Sequence, residues 1–562
     1  MSQVKHPYWE GIWHPYKSME SHYNEKRYNL LSEGKLKVWN SFDIVKLDED
    51  INWDMDPFDN KTWGLYFNSL NWLYSLYWGY DNGKEDFVNM HDIVVGYCNY
   101  LDSGEVNEMA WFDHSTSDRL CFLATLLLHP IYKNFPEDSK KLVTKIIFQH
   151  ISHIREFYDS KFWFNSNHGV FHALAILNIA QLAPFSISDY GLEPFGTLYL
   201  EVSLQGILSL EDNFTLEQSV YYHQLALSLL ETIPSTMLGR TSFGADLINL
   251  IPEMIETNYW VTLDNLQMVP LGDTAYGANI PKEYIPKNHP FEKLKTFSQC
   301  GFSIYKSKNM QDTYDHLSFQ HQNQRGPHGH FDALSITISH QNIPFLVDSG
   351  GPYKYGDPFR FTYFMSNRAH NNLIVNNNVH QSGATDFKSS IPFEDVYCIS
   401  ASHLGYDPIK VSRELFIFEQ RGVLVVDRID SLNRSVDLKT IWHFAKDSSV
   451  EQGEESLMIE NYGSSIRLFS SHFNELNHSI VSGVEGDSPQ GWLTDGIGKR
   501  VPIPTLISSI TSERDTSIGW FFSFEKENTI QFTDTQFTLI TKDKRFNVSF
   551  GNGLSESVVK ID

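Results

Sequence analysis

The chain has 562 residues, 41% hydrophobic and 20% charged, which allows two or three packed domains and excludes a disordered chain. Its 69 acidic and 44 basic residues leave a net charge of −25, which argues against a nucleic-acid binder; an acidic ligand would need a locally basic site. The four cysteines are scattered with no C-x-x-C, so no zinc ribbon or disulfide framework is implied.

The N-terminal M-S-Q-V-K-H-P-Y-W-E-G-I-W has no apolar signal-like core, and no apolar run reaches membrane-spanning length. The expected location is therefore cytoplasmic, or periplasmic or secreted if a leader has been removed. To about residue 280 the texture is helical. Asp56–Asn68, D-P-F-D-N-K-T-W-G-L-Y-F-N, could line a cleft. In F-D-H-S-T-S-D-R-L, Phe112–Leu120, either Arg119 or His114 meets a substrate carboxylate, or Ser115 or Ser117 caps a helix. An apolar block, Leu120–Leu128, follows. N-S-N-H-G-V-F-H, Asn165–His172, enters the apolar run Phe171–Leu182. There Asn167 and His168 either project into a cavity, where helix N–H groups favour an anion, or serve as a cap and a surface residue.

Thr215–Leu230 opens with T-x-x-Q, a capping-box pattern, and predicts a helix with apolar spacings of three and four. Within it Gln218 and Tyr222 share a face, and Tyr221 lies on the stripe of Glu217. A tyrosine acts as acid or base only if its neighbours lower its pKa; otherwise both rings pack in the core. Leu271–Pro290, rich in Gly, Pro, Asn and Lys, reads as a linker. The expected domains are 1–285, helical without a strict repeat, and 286–562, antiparallel strands.

After about residue 295, β-branched runs alternate with turns, including hairpins at Gln341-Asn342 and Gln420-Arg421-Gly422. The stretch R-G-P-H-G-H-F-D-A-L-S-I-T-I, Arg325–Ile338, places His328, His330 and Asp332 at every second position. On a strand the three would share one face. With Asp348 in F-L-V-D-S-G-G and His370 in R-A-H-N they are either metal ligands or a polar strand face.

Taken in order, D-P-x-x-N-x-T-W at 56–63, N-H-G at 167–169, E-x-S-x-x-Y-H at 217–223, H-G-H-x-D at 328–332, D-x-G at 348–350 and R-A-H-N at 368–371 resemble the heparinase II/III family of polysaccharide lyases, which includes oligo-alginate lyases. The resemblance spans roughly residues 50 to 380. It implies a multidomain α + β fold, an incomplete (α/α) toroid followed by an antiparallel β-sandwich, with the site in the seam. It implies β-elimination at a uronic acid, leaving a 4,5-unsaturated end. Asn167 matches the residue that neutralises the uronate carboxylate, His168 a histidine base of some members, Tyr222 the catalytic tyrosine, and His328 a second catalytic histidine. His330, Asp348 and His370 match ligands of a structural zinc, with no organic cofactor. Tyr355, in P-Y-K-Y-G, matches a further active-site tyrosine, and Glu217, His114 and Arg119 are candidate substrate-binding residues. The expected partners are an acidic poly- or oligosaccharide and a second copy of the chain as a homodimer, with neither nucleic acid nor a membrane span. Two other classes compete. A toroidal glycoside hydrolase needs a carboxylate pair, for which Asp113, Asp118 and Glu217 are candidates. A non-catalytic glycan-binding or assembly protein would keep the fold without the cleavage.

Overall fold

The apolar spacing of the first half builds helices, and the β-branched runs of the second half build sheets. The structure is a computed structural model, and it describes residues 21–39, 42–48, 50–84, 90–182, 190–322, 326–389, 393–431, 434–496, 498–533, 536–549 and 558–561. Arg325 and the first twenty residues lie outside the described residues. Contacts divide the chain into two units. One comprises 1–208, 225–252 and 354–356; the other comprises 209–224, 253–353 and 357–562.

The helices are α1 (Ser21–Ser32), α2 (Lys61–Asn68), α3 (Tyr74–Asp81), α4 (Met90–Ser103), α5 (Asp113–Leu128), α6 (Glu137–Ser160), α7 (Asn167–Leu182), α8 (Leu192–Ile207), α9 (Val220–Leu230) and α10 (Ser242–Val261). The amphipathic α6 buries one stripe, Val143, Ile146, Ile147, His150, Ile151 and Ile154, as a helix with one wet face should. By contrast α5 and α7 are buried almost all round, and they pack against each other. They are the inner helices of the unit, and each begins at a residue of the candidate site. Asn60, within the D-P-x-x-N stretch, caps α2 by accepting from the Thr62 and Trp63 N–H groups.

In the second unit a five-stranded antiparallel sheet runs in sequence order through Leu294–Phe297, Phe302–Lys308, Tyr314–Gln320, Ile336–His340 and Ile343–Leu346. The last pair turns at Gln341 and Asn342, both at positive φ (50° and 67°), as a two-residue hairpin demands. An eight-stranded sheet is centred on Val396–Tyr406, Ile409–Phe418, Gly422–Asp430 and Thr516–Ser523. Its hairpin predicted from sequence at Gln420-Arg421-Gly422 closes with Phe418 opposite Gly422. The middle strands are apolar on both faces because both faces are covered. Leu415, Ile417, Val423 and Val425 join the core shared with the five-stranded sheet and with a four-stranded sheet that contains Val436–His443. Phe416, Phe418, Leu424 and Val426 meet Phe537, Leu539, Phe546 and Val548 of a C-terminal four-stranded sheet. The expected sandwich therefore carries a third layer.

One ion pair in this unit supports the loops of the site. Arg413, fully buried, binds Asp427 through Nε (2.7 Å) and Nη2 (2.9 Å), and its Nη1 donates to the carbonyls of Leu334 and Asn371 at 2.6 Å each. Trp442 lies 5.1 Å from the guanidinium. Replacing one partner of a buried pair strands the other charge. Asp427→Asn is expected to cost about 3–5 kcal/mol, read as an earlier urea midpoint of tryptophan fluorescence. A midpoint equal to the parent's would contradict this account.

Candidate active site

In the first unit the glycine of N-H-G lets the start of α7 come close to its surroundings. A Cβ on Gly169 would fall 2.5 Å from Ser203 Oγ and 2.6 Å from the Trp163 carbonyl. Asn167 is the first residue of α7 and is buried. His168 lies parallel to the Trp163 ring, with centroids 5.1 Å apart and planes 7° apart. Its Nδ1 is 2.5 Å from Oδ2 of Asp113, the first residue of α5. The same oxygen lies 3.3 Å from His172 Nε2, and His172 Nδ1 lies 2.8 Å from the Tyr199 hydroxyl. Burial pushes the Asp113 carboxyl up, but the charge and hydrogen bond of His168, with His172 adding, outweigh that and hold it well below the usual range. His114 packs edge-on against His168 at 5.1 Å; burial, reinforced by the His168 charge, pushes it down to about 3. Asp118, buried beneath them, is pushed up to about 7 by burial, against a 2.8 Å bond from Asn71 Nδ2. His114 and His168 keep 19% and 23% of their side-chain surface, whereas Asp113 and Asp118 keep 2% each.

Arg119 does not join them. It is fully buried, and its guanidinium donates to the carbonyls of Asn68 and Ala110 (2.7 Å each), to Tyr97 (3.1 Å) and to His150 (2.7 Å). Every nitrogen is spent on the core, so the substrate-binding role expected of it is corrected to a structural one. The expected serine caps are corrected too: α5 starts at Asp113, and the Ser115 and Ser117 hydroxyls donate to the carbonyls of Leu65 and His114.

In the second unit the helix expected from Thr215 begins five residues later, at Val220. Gln218 takes a left-handed backbone (φ 58°), which breaks the run. The cap comes from far along the chain: Thr274 Oγ1 accepts from the N–H groups of Val220 (2.9 Å) and Tyr221 (3.2 Å). Gln218 instead holds the histidine loop, its Oε1 accepting from Gly326 N at 2.6 Å and its Nε2 donating to Gln322 at 2.8 Å. That loop is not a strand. Residues 326–335 are turns and irregular chain, and the strand starts at Ile336, so the period-two argument for His328, His330 and Asp332 is corrected.

The loop instead splays the two histidines onto one buried carboxylate. Asp273 Oδ2 lies 3.1 Å from His328 Nδ1, and Oδ1 lies 3.0 Å from His330 Nε2. Arg360 Nη2 donates to both oxygens at 2.8 and 2.7 Å. Burial raises the Asp273 carboxyl, but the hydrogen bonds from His328 and His330 and the Arg360 charge together hold it well below its ordinary range. Gly272, at φ +52°, is required here, because a Cβ would fall 2.2 Å from the Gln218 carbonyl and 2.5 Å from that of His328. Tyr222, half-buried, lies flat on His328, with centroids 3.3 Å apart and planes 10° apart. Glu217 is 1% exposed and stands 3.8 Å from His328 Nε2, so it faces the imidazole from inside, not a substrate from outside. Tyr221 is half-exposed and does not pack in the core.

The zinc expectation is tested by what the donors lack. His330 Nδ1 and His370 Nε2 are both buried without a hydrogen-bond partner among the described residues, and their ring centroids are 5.4 Å apart. Asp348 stands beside them, its Oδ2 2.8 Å from His370 Nδ1. Burial disfavours charge on His370, yet the Asp348 carboxylate outweighs it and raises the imidazole above its ordinary value. Two bare imidazole nitrogens and a carboxylate suit a divalent ion of the zinc type. Among the described residues no three such side chains are already gathered at metal-holding distance, because Asp348 is turned to His370. Asp332 is pushed up to about 6 by burial, with the His370 and His330 charges opposing.

Asp273, Thr274 and Arg360 were missed by sequence reasoning; the first two sit in what reads as a linker. Asp113 was weighed only as a hydrolase carboxylate. Tyr355 is half-buried in the short segment 354–356 that groups with the helical unit.

Residues 290–546 match the family described as Heparinase II/III-like, C-terminal. No curated protein matches the chain. Among solved structures, a heparinase III aligns with a TM-score of 0.74 at 14% identity, over 100% of this chain and 93% of that one. A heparinase III gene product aligns at 0.66 and 12%, over 98% and 92%. The heparan sulfate lyase HepC of Pedobacter heparinus aligns at 0.62 and 13%, over 94% and 89%. The helical region followed by antiparallel sheets is thus the toroid-plus-sandwich architecture of those structures. Residues 290–546 match the heparinase II/III-like family, and the chain as a whole has the fold of the solved heparinase III.

Proposed function

We propose that the protein is a polysaccharide lyase, a carbon–oxygen lyase that cleaves a uronate-containing poly- or oligosaccharide by β-elimination. The observation that carries this reading is Tyr222 lying on His328, whose Nδ1 is engaged by the buried Asp273. The family of residues 290–546 and the fold point the same way. Three carboxylates that a hydrolase could use, Asp113, Asp118 and Glu217, are 3%, 1% and 1% exposed, so none of the three is open to a glycosidic bond.

The chemistry suits the residues. Removing the C5 proton of a uronate leaves an enolate-like dianion. Donors aimed at the carboxylate stabilise it, each worth about 3–4 kcal/mol. Asn167 takes that role. The C5–H bond breaks, C4=C5 forms, the C4–O4 bond breaks and O4 receives a proton. Tyr222, His328 and His168 are the groups that can carry those protons. A syn arrangement lets one tyrosine take the C5 proton and return it to O4; an anti arrangement needs a base on one face and an acid on the other. Zinc on His330, Asp348 and His370 belongs to the same reading as a structural cross-link of the sheet-bearing unit, and it takes no step in the elimination.

Offered a panel of uronate polysaccharides, the protein should release products with the ultraviolet absorbance of a double bond conjugated to the carboxylate. Tyr222→Phe should lower kcat by about 10²–10⁴-fold with the fold intact. New reducing ends without that absorbance would overturn the lyase reading. Purified protein should contain zinc, and chelation or His370→Ala should lower the melting temperature and the activity together. Metal-free protein that melts and turns over like the parent would remove the metal from the account.

A further inference from the structure

Asp113 has no assigned part in this chemistry, yet its surroundings are unusual. It is 3% exposed, and its Oδ1 is buried with no hydrogen-bond partner among the described residues. Its Oδ2 carries both contacts, His168 Nδ1 at 2.5 Å and His172 Nε2 at 3.3 Å. The second contact brings no charge. Burial lowers the His172 pKa, so that ring is neutral; a carboxylate can only accept, so the ring proton sits on Nε2, toward Asp113, and Nδ1 accepts from the Tyr199 hydroxyl at 2.8 Å. Among the described residues His168 is therefore the one group in direct contact that can balance the carboxylate. A buried carboxylate with a bare oxygen is costly, and a neutral side chain of the same shape would be cheaper.

We infer that Asp113 is a positioning residue for His168: it keeps the Nδ1 proton on the carboxylate side and leaves Nε2 as the nitrogen that meets the substrate. Trp163, parallel to the ring at 5.1 Å, blocks rotation out of that plane. This deepens the role given to His168 above and rests on it. The other titratable groups packed about the ring are His114 and Asp118 from α5 and His172 from α7. His114, pushed down to about 3, stays neutral near pH 7; Asp118 is pushed up to about 7, in part by the Asp113 charge, so Asp113→Asn also lowers it.

The test reads the imidazole directly. In histidine-labelled full-length protein, with the His168 signals assigned by His168→Ala, nitrogen spectra should show the neutral ring protonated at Nδ1. Asp113→Asn should move that proton to Nε2 and lower the pKa of His168. It should also reduce kcat by about 10²–10⁴-fold with KM within a few-fold. Asp113→Glu, which restores the charge, should recover part of the loss and covers the case in which the asparagine variant does not fold. A parent ring protonated at Nε2, or a tautomer that Asp113→Asn leaves unchanged, overturns the inference. Full turnover by His168→Ala would overturn the catalytic role of His168, and the spectra would still decide what Asp113 does to the ring.

Discussion

The interaction on which the rest of this structure depends is the hydrogen bond from an imidazole Nδ1 to a carboxylate that water does not reach. Two instances concern the candidate site, His168 on Asp113 in one unit and His328 on Asp273 in the other. In both cases burial alone would drive the carboxyl toward its neutral form, and the neighbouring donors reverse that. Each unit of pKa shift is about 1.4 kcal/mol of preference for the charged form. The preference exists only while the donors stay in place, so the carboxylate and the histidine geometry stabilise each other. Gly169 and Gly272 follow from this, since both permit backbone approaches that a side chain would block. The distant Thr274 cap follows as well: it fixes the start of α9, and hence Tyr222, to the residue next to Asp273.

The parts of this arrangement visible in the sequence were those with a local signature. The helical spacing of Phe171–Leu182, the positive-φ turn at Gln341-Asn342 and the hairpin at Gly422 are set by neighbours within a few residues. The histidines, Tyr222, Asp348 and His370 were found because spaced motifs resemble a family. What failed were inferences that needed to know a side chain's surroundings. Arg119 looked like an anion binder because it follows a polar stretch, yet four acceptors from distant residues enclose it. The T-x-x-Q cap failed because a threonine 59 positions beyond Thr215 does that work, leaving Gln218 to hold a different loop. Asp273 was hidden in a Gly- and Pro-rich segment whose composition matches a linker. Composition reports how chain is connected, not which of its carboxylates is folded into a core.

The irregular backbone of the H-x-H loop carries the last step of the argument. On a strand, His328 and His330 would point the same way and compete for one partner. In the loop they reach the two oxygens of Asp273 separately, Nδ1 of one ring and Nε2 of the other. The ring nitrogens left over therefore differ. His330 presents Nδ1, which is buried and unpartnered, to the side where His370 Nε2 is also bare. His328 presents Nε2, near Glu217, and stacks its face on Tyr222. One carboxylate thus gives two chemically identical side chains, two residues apart, different surroundings. An ion bound at His330 would fix that ring from its far side and so fix the Asp273 oxygen against which His328 is set. That is a direct mechanical route by which a structural metal could support proton transfer without touching the substrate, and it runs through a residue that neither motif contains.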